Sequence, residues 1–165
     1  MTAFGQKYQF CPPACYRAGF KAVLAGLMPY AKTTGESMAD DDRRKRGMKM
    51  FDEVYGGIVP FPPEELHDAF LFNTVDQLFS EVWSRPQMSI RDRRLFVMGI
   101  IAAQAEADTF EIQVRAALHK GELSPEDIHE LAVILPYYVG YPRGSRMRAV
   151  TQKVLGELKK KQAGA

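Results

Sequence analysis

In the stretch "TFEIQVRAALHKG", Thr109–Gly121, helical spacing sets Glu111, Arg115 and His119 in one row, four residues apart, beside an apolar stripe of Phe110, Val114, Ala117 and Leu118. The bland reading of the row is a solvated face on which Glu111 and Arg115 stabilise the helix by ~0.2–0.5 kcal/mol. The sharp reading makes His119 a proton carrier. Gln113, between row and stripe, cannot exchange protons at neutral pH and can only donate or accept a hydrogen bond. Glu81 stands two residues before Trp83. Burial against the indole would raise its pKa and keep it protonated, as a proton donor requires. A pairing with Arg85 or Arg93 would instead keep it ionised and lock two helices together. Arg93 and Arg94 are neighbours in one helical turn and cannot both face the same way. The inward one could grip a carboxylate with a planar two-point fork. Tyr137 and Tyr138 follow Pro136, and one phenol faces a pocket or both serve core packing.

Other chemistries find no support. Cys11 and Cys15 are spaced C-x-x-x-C and stiffened by two prolines, unlike the C-x-x-C of thiol redox centres. His67, His119 and His129 show no ligand spacing, so no metal site is expected. His67 and His129 sit on acid-rich faces and read as solvated or paired, and Trp83 also fits a plain core anchor. With 22 Lys+Arg against 20 Asp+Glu, the net charge of +2 gives no argument for nucleic acid. No apolar run reaches the roughly 18 residues needed to span a bilayer. The start, "MTAFGQKYQF", lacks a signal pattern. The expectation is a cytoplasmic protein that meets neither nucleic acid nor membrane.

The elements that must position these residues are helices. Residues 1–38 read as an N-terminal arm and residues 39–162 as one helical domain. "SMADDDRRKRGMKMFDEVYGG" carries acids in its first part and ends in glycines. "PEELHDAFLFNTVDQLFSEVWSRP" has helical apolar spacing closed by Pro86. "SIRDRRLFVMGIIAAQAEA" opens on Ser89 and Asp92, a capping pair, and is nearly all apolar from Leu95 to Ala103, which predicts burial on most sides. The next helix begins at Asp108 as cap and stops at Gly121. Ser124 and Pro125 open another, which Pro136 should kink or end near Leu135. Pro142 restarts the last helix, which runs into a lysine tail. Strand alternation and hairpin turns are nearly absent, so the fold is all-α with about six or seven helices. The eight methionines are adaptable fillers suited to core gaps or an oligomer contact.

At "FSEVWSRPQMSIRDRRL" the pattern becomes more specific. Together with "QVRAALHKG" and "SPEDIHELAVILPYYVGYP" it resembles the carboxymuconolactone decarboxylase family over roughly residues 45–157. The resemblance implies an alkylhydroperoxidase D-like helical bundle assembled as a dimer, trimer or hexamer. It implies cofactor-free removal of carbon dioxide from a carboxylated unsaturated lactone, or a related proton transfer on a small carboxylic acid. Such a reaction needs a cation for the carboxylate, a donor at the carbonyl oxygen where charge develops, and an acid to protonate carbon. Glu81, Trp83, Arg85, Pro86, Arg93, Gly140 and Pro142 match the family pattern. On that basis Glu81 moves the proton, Gln113 and Tyr138 orient the carbonyl, and Arg85, Arg93 and Trp83 bind substrate, with Arg93 turned inward and Arg94 at the surface.

Two positions depart from the pattern. Gln113 and Ile134 stand where the decarboxylases carry histidines. The cysteine positions of redox members hold Glu106 and Thr109, which excludes thiol peroxidase chemistry at that place. The alternative is therefore a non-catalytic helical oligomer, or a small-molecule-binding module, that kept the fold and lost the chemistry.

Overall fold

The computed structural model describes residues 38–164. Among them lie six α-helices and no strand: α1 (Met38–Tyr55), α2 (Ala69–Asn73), α3 (Ile90–Gln104), α4 (Ala107–His119), α5 (Pro125–Val139) and α6 (Tyr141–Ala163). A short 3-10 turn at Glu64–Leu66 precedes α2. α2 runs without a break into a π-helix, Thr74–Trp83. This all-helical bundle is the alkylhydroperoxidase D-like fold expected from the sequence. The anticipated N-terminal arm, with Cys11 and Cys15, lies outside the described residues.

The helix boundaries follow local chemistry. The Ser89 hydroxyl accepts from the Asp92 amide at 3.0 Å and starts α3. α5 opens on a full capping box: Asp127 donates its amide to the Ser124 hydroxyl (3.1 Å), and the Asp127 carboxylate accepts from the Ser124 amide (2.9 Å). Two expectations need correction. α4 starts at Ala107, with Glu106 at the cap position making no side-chain bond, and Asp108 lies inside its first turn. α5 does not end near Leu135 but carries Pro136 inside it and continues to Val139. The reason lies across the bundle. Gly144 of α6 packs so closely on Pro136 that a Cβ there would stand 2.6 Å from the proline Cα and Cγ. The ring is seated on a bare backbone, and this packing offsets the hydrogen bond that proline removes.

Two apolar clusters form the core. The larger joins Met98, Ile101 and Ala102 of α3 to Phe110, Val114 and Ala117 of α4, Ile128 and Leu135 of α5, and Met147 and Val154 of α6. The smaller joins Val54 of α1 to Phe79 and Trp83 of the π-helix. The Phe79 and Trp83 rings stack with 16° between planes. α3 departs from the expectation of burial on most sides. Phe96 and Ile100 are exposed at 66% and 43%, so the helix presents a second apolar face outward.

Candidate functional site

Where α1, α3 and α4 meet, a polar cluster is shut inside the two apolar ones. Its centre is Arg94, wholly buried. The guanidinium grips the Glu122 carboxylate two ways, Nε to Oε2 at 2.6 Å and Nη2 to Oε1 at 2.9 Å. Nη2 also donates to the Val54 carbonyl (2.8 Å) and Nη1 to Gln113 Oε1 (2.9 Å). Gln113, 1% exposed, passes the chain on: its Nε2 donates to the Tyr55 hydroxyl at 2.6 Å. The Trp83 and Tyr55 rings stand 5.9 and 5.8 Å from the Arg94 guanidinium carbon. Burial pushes the Tyr55 phenol above its ordinary 10.0, against the opposing pull of the Gln113 bond and the Arg94 charge.

Each of these groups is satisfied by another. The Arg94 guanidinium and the Glu122 carboxylate neutralise each other in a two-point pair. Both ends of the Gln113 amide are spent. Tyr55 stays a neutral phenol. The cluster is a clasp that ties the end of α1 to α3, α4 and the turn after α4, with its donors aimed at internal acceptors.

The residues singled out from the sequence divide around this clasp. Gln113 and Trp83 belong to it or adjoin it. Arg94, expected at the surface, is the inward arginine. Arg93 is part-buried, and its guanidinium is committed to closing the end of the π-helix. It donates to the carbonyls of Val82, Arg85 (2.9 Å) and Met88 (3.3 Å), and lies 6.0 Å from the Trp83 ring. The Val82 carbonyl, in the last turn of the π-helix, also accepts the Arg85 amide, and the other two carbonyls belong to the turn that leads into α3. Arg85 joins Arg93 through its backbone oxygen, and its side chain is exposed. Glu81 is not packed on Trp83. Its carboxylate is exposed and paired with Arg43 (3.4 Å) and Arg46 (3.8 Å) of α1, neither of them the partners expected. Positions two apart on the π-helix diverge in direction, so Trp83 turns in while Glu81 turns out. Tyr138 is 83% exposed on α5, away from the clasp, and Ile134 is half-exposed. Within one chain, Glu81, Gln113 and Tyr138 do not converge.

The row that opened the sequence reading is a tie between α4 and α6. Arg115 donates to Glu111 (2.7 and 3.0 Å) and to Glu157 (2.7 Å), and Lys153 reaches both Glu111 oxygens at 2.9 Å. Lys153 first, then Arg115, holds the Glu111 carboxyl below its ordinary 4.5. His119 is exposed and lies over Gly57. Among the described residues, no group of three or more His, Cys, Asp or Glu is arranged to hold a metal ion, and no helix is long and apolar enough to cross a membrane.

Tyr55 and Glu122 were not anticipated, and neither was the direction of Arg94. For Arg94 a signal existed. It precedes Met98 and Ile101 by four and seven residues, the spacing of the buried stripe of α3. Nothing local marks Tyr55 or Glu122.

Comparison with known proteins agrees with this fold. No family profile matches the chain. It is 28% identical over 128 residues to 4-carboxymuconolactone decarboxylase of Acinetobacter baylyi, covering 73% of this chain and 92% of that protein. The likeness and the helical bundle together place the chain near the alkylhydroperoxidase D-like superfamily, at the level of fold and general kinship.

Proposed function

We propose that this chain is a self-associating helical module that has exchanged the proton-transfer centre of the decarboxylase pattern for a structural clasp. The observation that carries this is Gln113. It stands where that pattern has a histidine, is 1% exposed, and has both amide ends spent on Arg94 and Tyr55. Self-association is supported by the apolar side chains left outside: Phe96 and Ile100 on α3, and Val133, Ile134, Tyr137 and Tyr138 on α5. Exposed apolar surface on this scale marks a contact with another protein surface, and a second copy is the simplest one available.

A second reading is favoured by the likeness to the decarboxylase, which runs over 92% of that protein's length. Here the chain is a cytoplasmic, cofactor-free carboxy-lyase acting on a carboxylated unsaturated lactone or a related small carboxylic acid. Arg85 and Arg93 hold the carboxylate, Trp83 forms a wall, Glu81 moves the proton, and Gln113 and Tyr138 orient the carbonyl. It requires Arg93 to release the carbonyls it now caps and Glu81 to leave Arg43 and Arg46. Dimer, trimer and hexamer are all compatible with either reading.

One experiment separates them. Native protein and Glu81→Gln are incubated with a panel of carboxylated unsaturated lactones and muconate-like acids, with products followed by mass. Light scattering gives the mass of the native assembly and of Tyr138→Glu. The clasp reading expects no product, a native oligomer, and a smaller species for Tyr138→Glu. A product lighter by one carbon dioxide, lost in Glu81→Gln, would establish the lyase instead. A monomeric native chain would sink self-association.

A further inference from the structure

A groove of about 640 Å³ lies on the opposite flank of α4 from the clasp. It runs between the end of α4, the start of α5 and the last turns of α6. Its floor is apolar, with Ile58, Leu118, Leu123, Val154 and Leu158. The volume falls within the range of small-ligand sites, roughly 300–1,000 Å³.

The rim is charged, and the charges are unequal in their freedom. Arg115 and Glu157 face the groove but satisfy each other at 2.7 Å, within the network that also takes in Glu111 and Lys153. Two acids and two bases cancel there. His119 and Lys161 also line the groove, and neither makes an ion pair or side-chain hydrogen bond among the described residues. The rim therefore holds an uncompensated ammonium and an imidazole able to donate, above an apolar floor. His119 lies against Gly57, whose φ of +83° few other residues adopt. A Cβ at Gly57 would stand 2.5 Å from the His119 Nε2, so the imidazole occupies the space that a side chain would fill.

We infer that this groove binds an amphipathic monoanion, its apolar body on Leu118, Leu123 and Leu158 and its head against Lys161 and His119. The match is one of charge and shape: an apolar trough alone would take any greasy molecule, and the unpaired Lys161 ammonium, with the His119 imidazole as a further donor, selects a negatively charged head. The inference stands apart from either reading of the clasp, since it uses no residue of it.

The test is a methyl and amide NMR titration of the full-length chain. The probes are octanoate and 8-anilinonaphthalene-1-sulfonate, with octanol as the uncharged control. Either anion should shift the Leu118, Leu123 and Leu158 methyls and bind more tightly than octanol. Lys161→Gln, at an exposed position that leaves folding untouched, should weaken the anions about three- to tenfold and leave octanol unchanged, as loss of one partly solvated charge-assisted contact requires. Gly57→Ala, which displaces His119, should weaken the anions as well. Shifts confined to other surfaces, equal affinity for octanol and octanoate, or anion binding indifferent to Lys161→Gln would each overturn the inference.

Discussion

Replacing Arg94 by Met tests whether the clasp holds the fold. Met roughly fills the stem volume and removes every donor. The Glu122 carboxylate then loses a two-point partner, Gln113 Oε1 loses its donor, and the buried Val54 carbonyl loses a bond of 2.8 Å. Breaking a buried pair from one side costs about 3–5 kcal/mol, because the remaining charge is stranded. Glu122 keeps 13% of its side-chain surface, so some water reaches it, and the lower half of that range is the expectation. That is a large share of the 5–15 kcal/mol typical of a folded domain, and the urea midpoint should fall visibly.

The second arm makes the reasoning refutable. Arg94→Met combined with Glu122→Leu removes both charges, and apolar replacement of a buried pair is often neutral or stabilising. The double variant should therefore recover most of the loss. The assay is urea unfolding followed by circular dichroism, at one fixed protomer concentration because an oligomer's midpoint depends on it. A single-variant loss below about 1 kcal/mol, or a double variant no better than Arg94→Met, would refute the account of a buried, mutually dependent pair.

Two further expectations concern the bundle's periphery. Glu111 has a folded pKa held below its ordinary 4.5 by Lys153 and Arg115. The stability it contributes is full above about pH 4.5 and is lost as pH falls through the depressed folded value; at about 0.5–1 kcal/mol for a network of this exposure, it should vanish in Glu111→Gln, seen as a flatter dependence of the urea midpoint between pH 5 and 3. Ser124→Ala removes the acceptor of the Asp127 amide and half of the α5 capping box, so thermal unfolding should show a loss of about 1 kcal/mol, and an unchanged midpoint would mean that the box is not used.

Helices were legible because their boundaries are local. Ser124, Pro125, Ser89 and the paired glycines after Tyr55 announce starts and stops within a few residues of where they act. The π-helix was not legible, since "TVDQLFSEVW" has the apolar spacing of an ordinary helix and the extra residue per turn leaves no mark in composition. Passage of α5 through Pro136 depended on Gly144, a neighbour contributed by the next helix. The clasp was half legible. Gln113 drew notice as a polar residue beside an apolar stripe, but its partner Tyr55 lies 58 residues away and Glu122 lies 28 from Arg94, separations over which no sequence pattern pairs residues. The family pattern points to Arg93 as the inward arginine, whereas the spacing to Met98 and Ile101 points to Arg94, which is the one buried.

Arg94, Gln113 and Glu122 make sense only as a set. An arginine buried without a carboxylate would strand its charge, so Arg94 calls for Glu122. A histidine at 113 beside that fixed cation would be driven to its neutral form and would lose the proton that an acid must hold. Gln offers an acceptor to the guanidinium and a donor to the Tyr55 oxygen without any titration, and the geometry uses both. Once Arg94 occupies this interior, the histidine has no acid–base task left to perform there. On the proposed clasp reading, Gln113 and the buried Arg94 one helix away are two parts of one arrangement, which holds helices rather than moving protons. A Gln113→His substitution alone would not create a proton-transfer site, because Arg94 and Glu122 would still fill the space and fix the field.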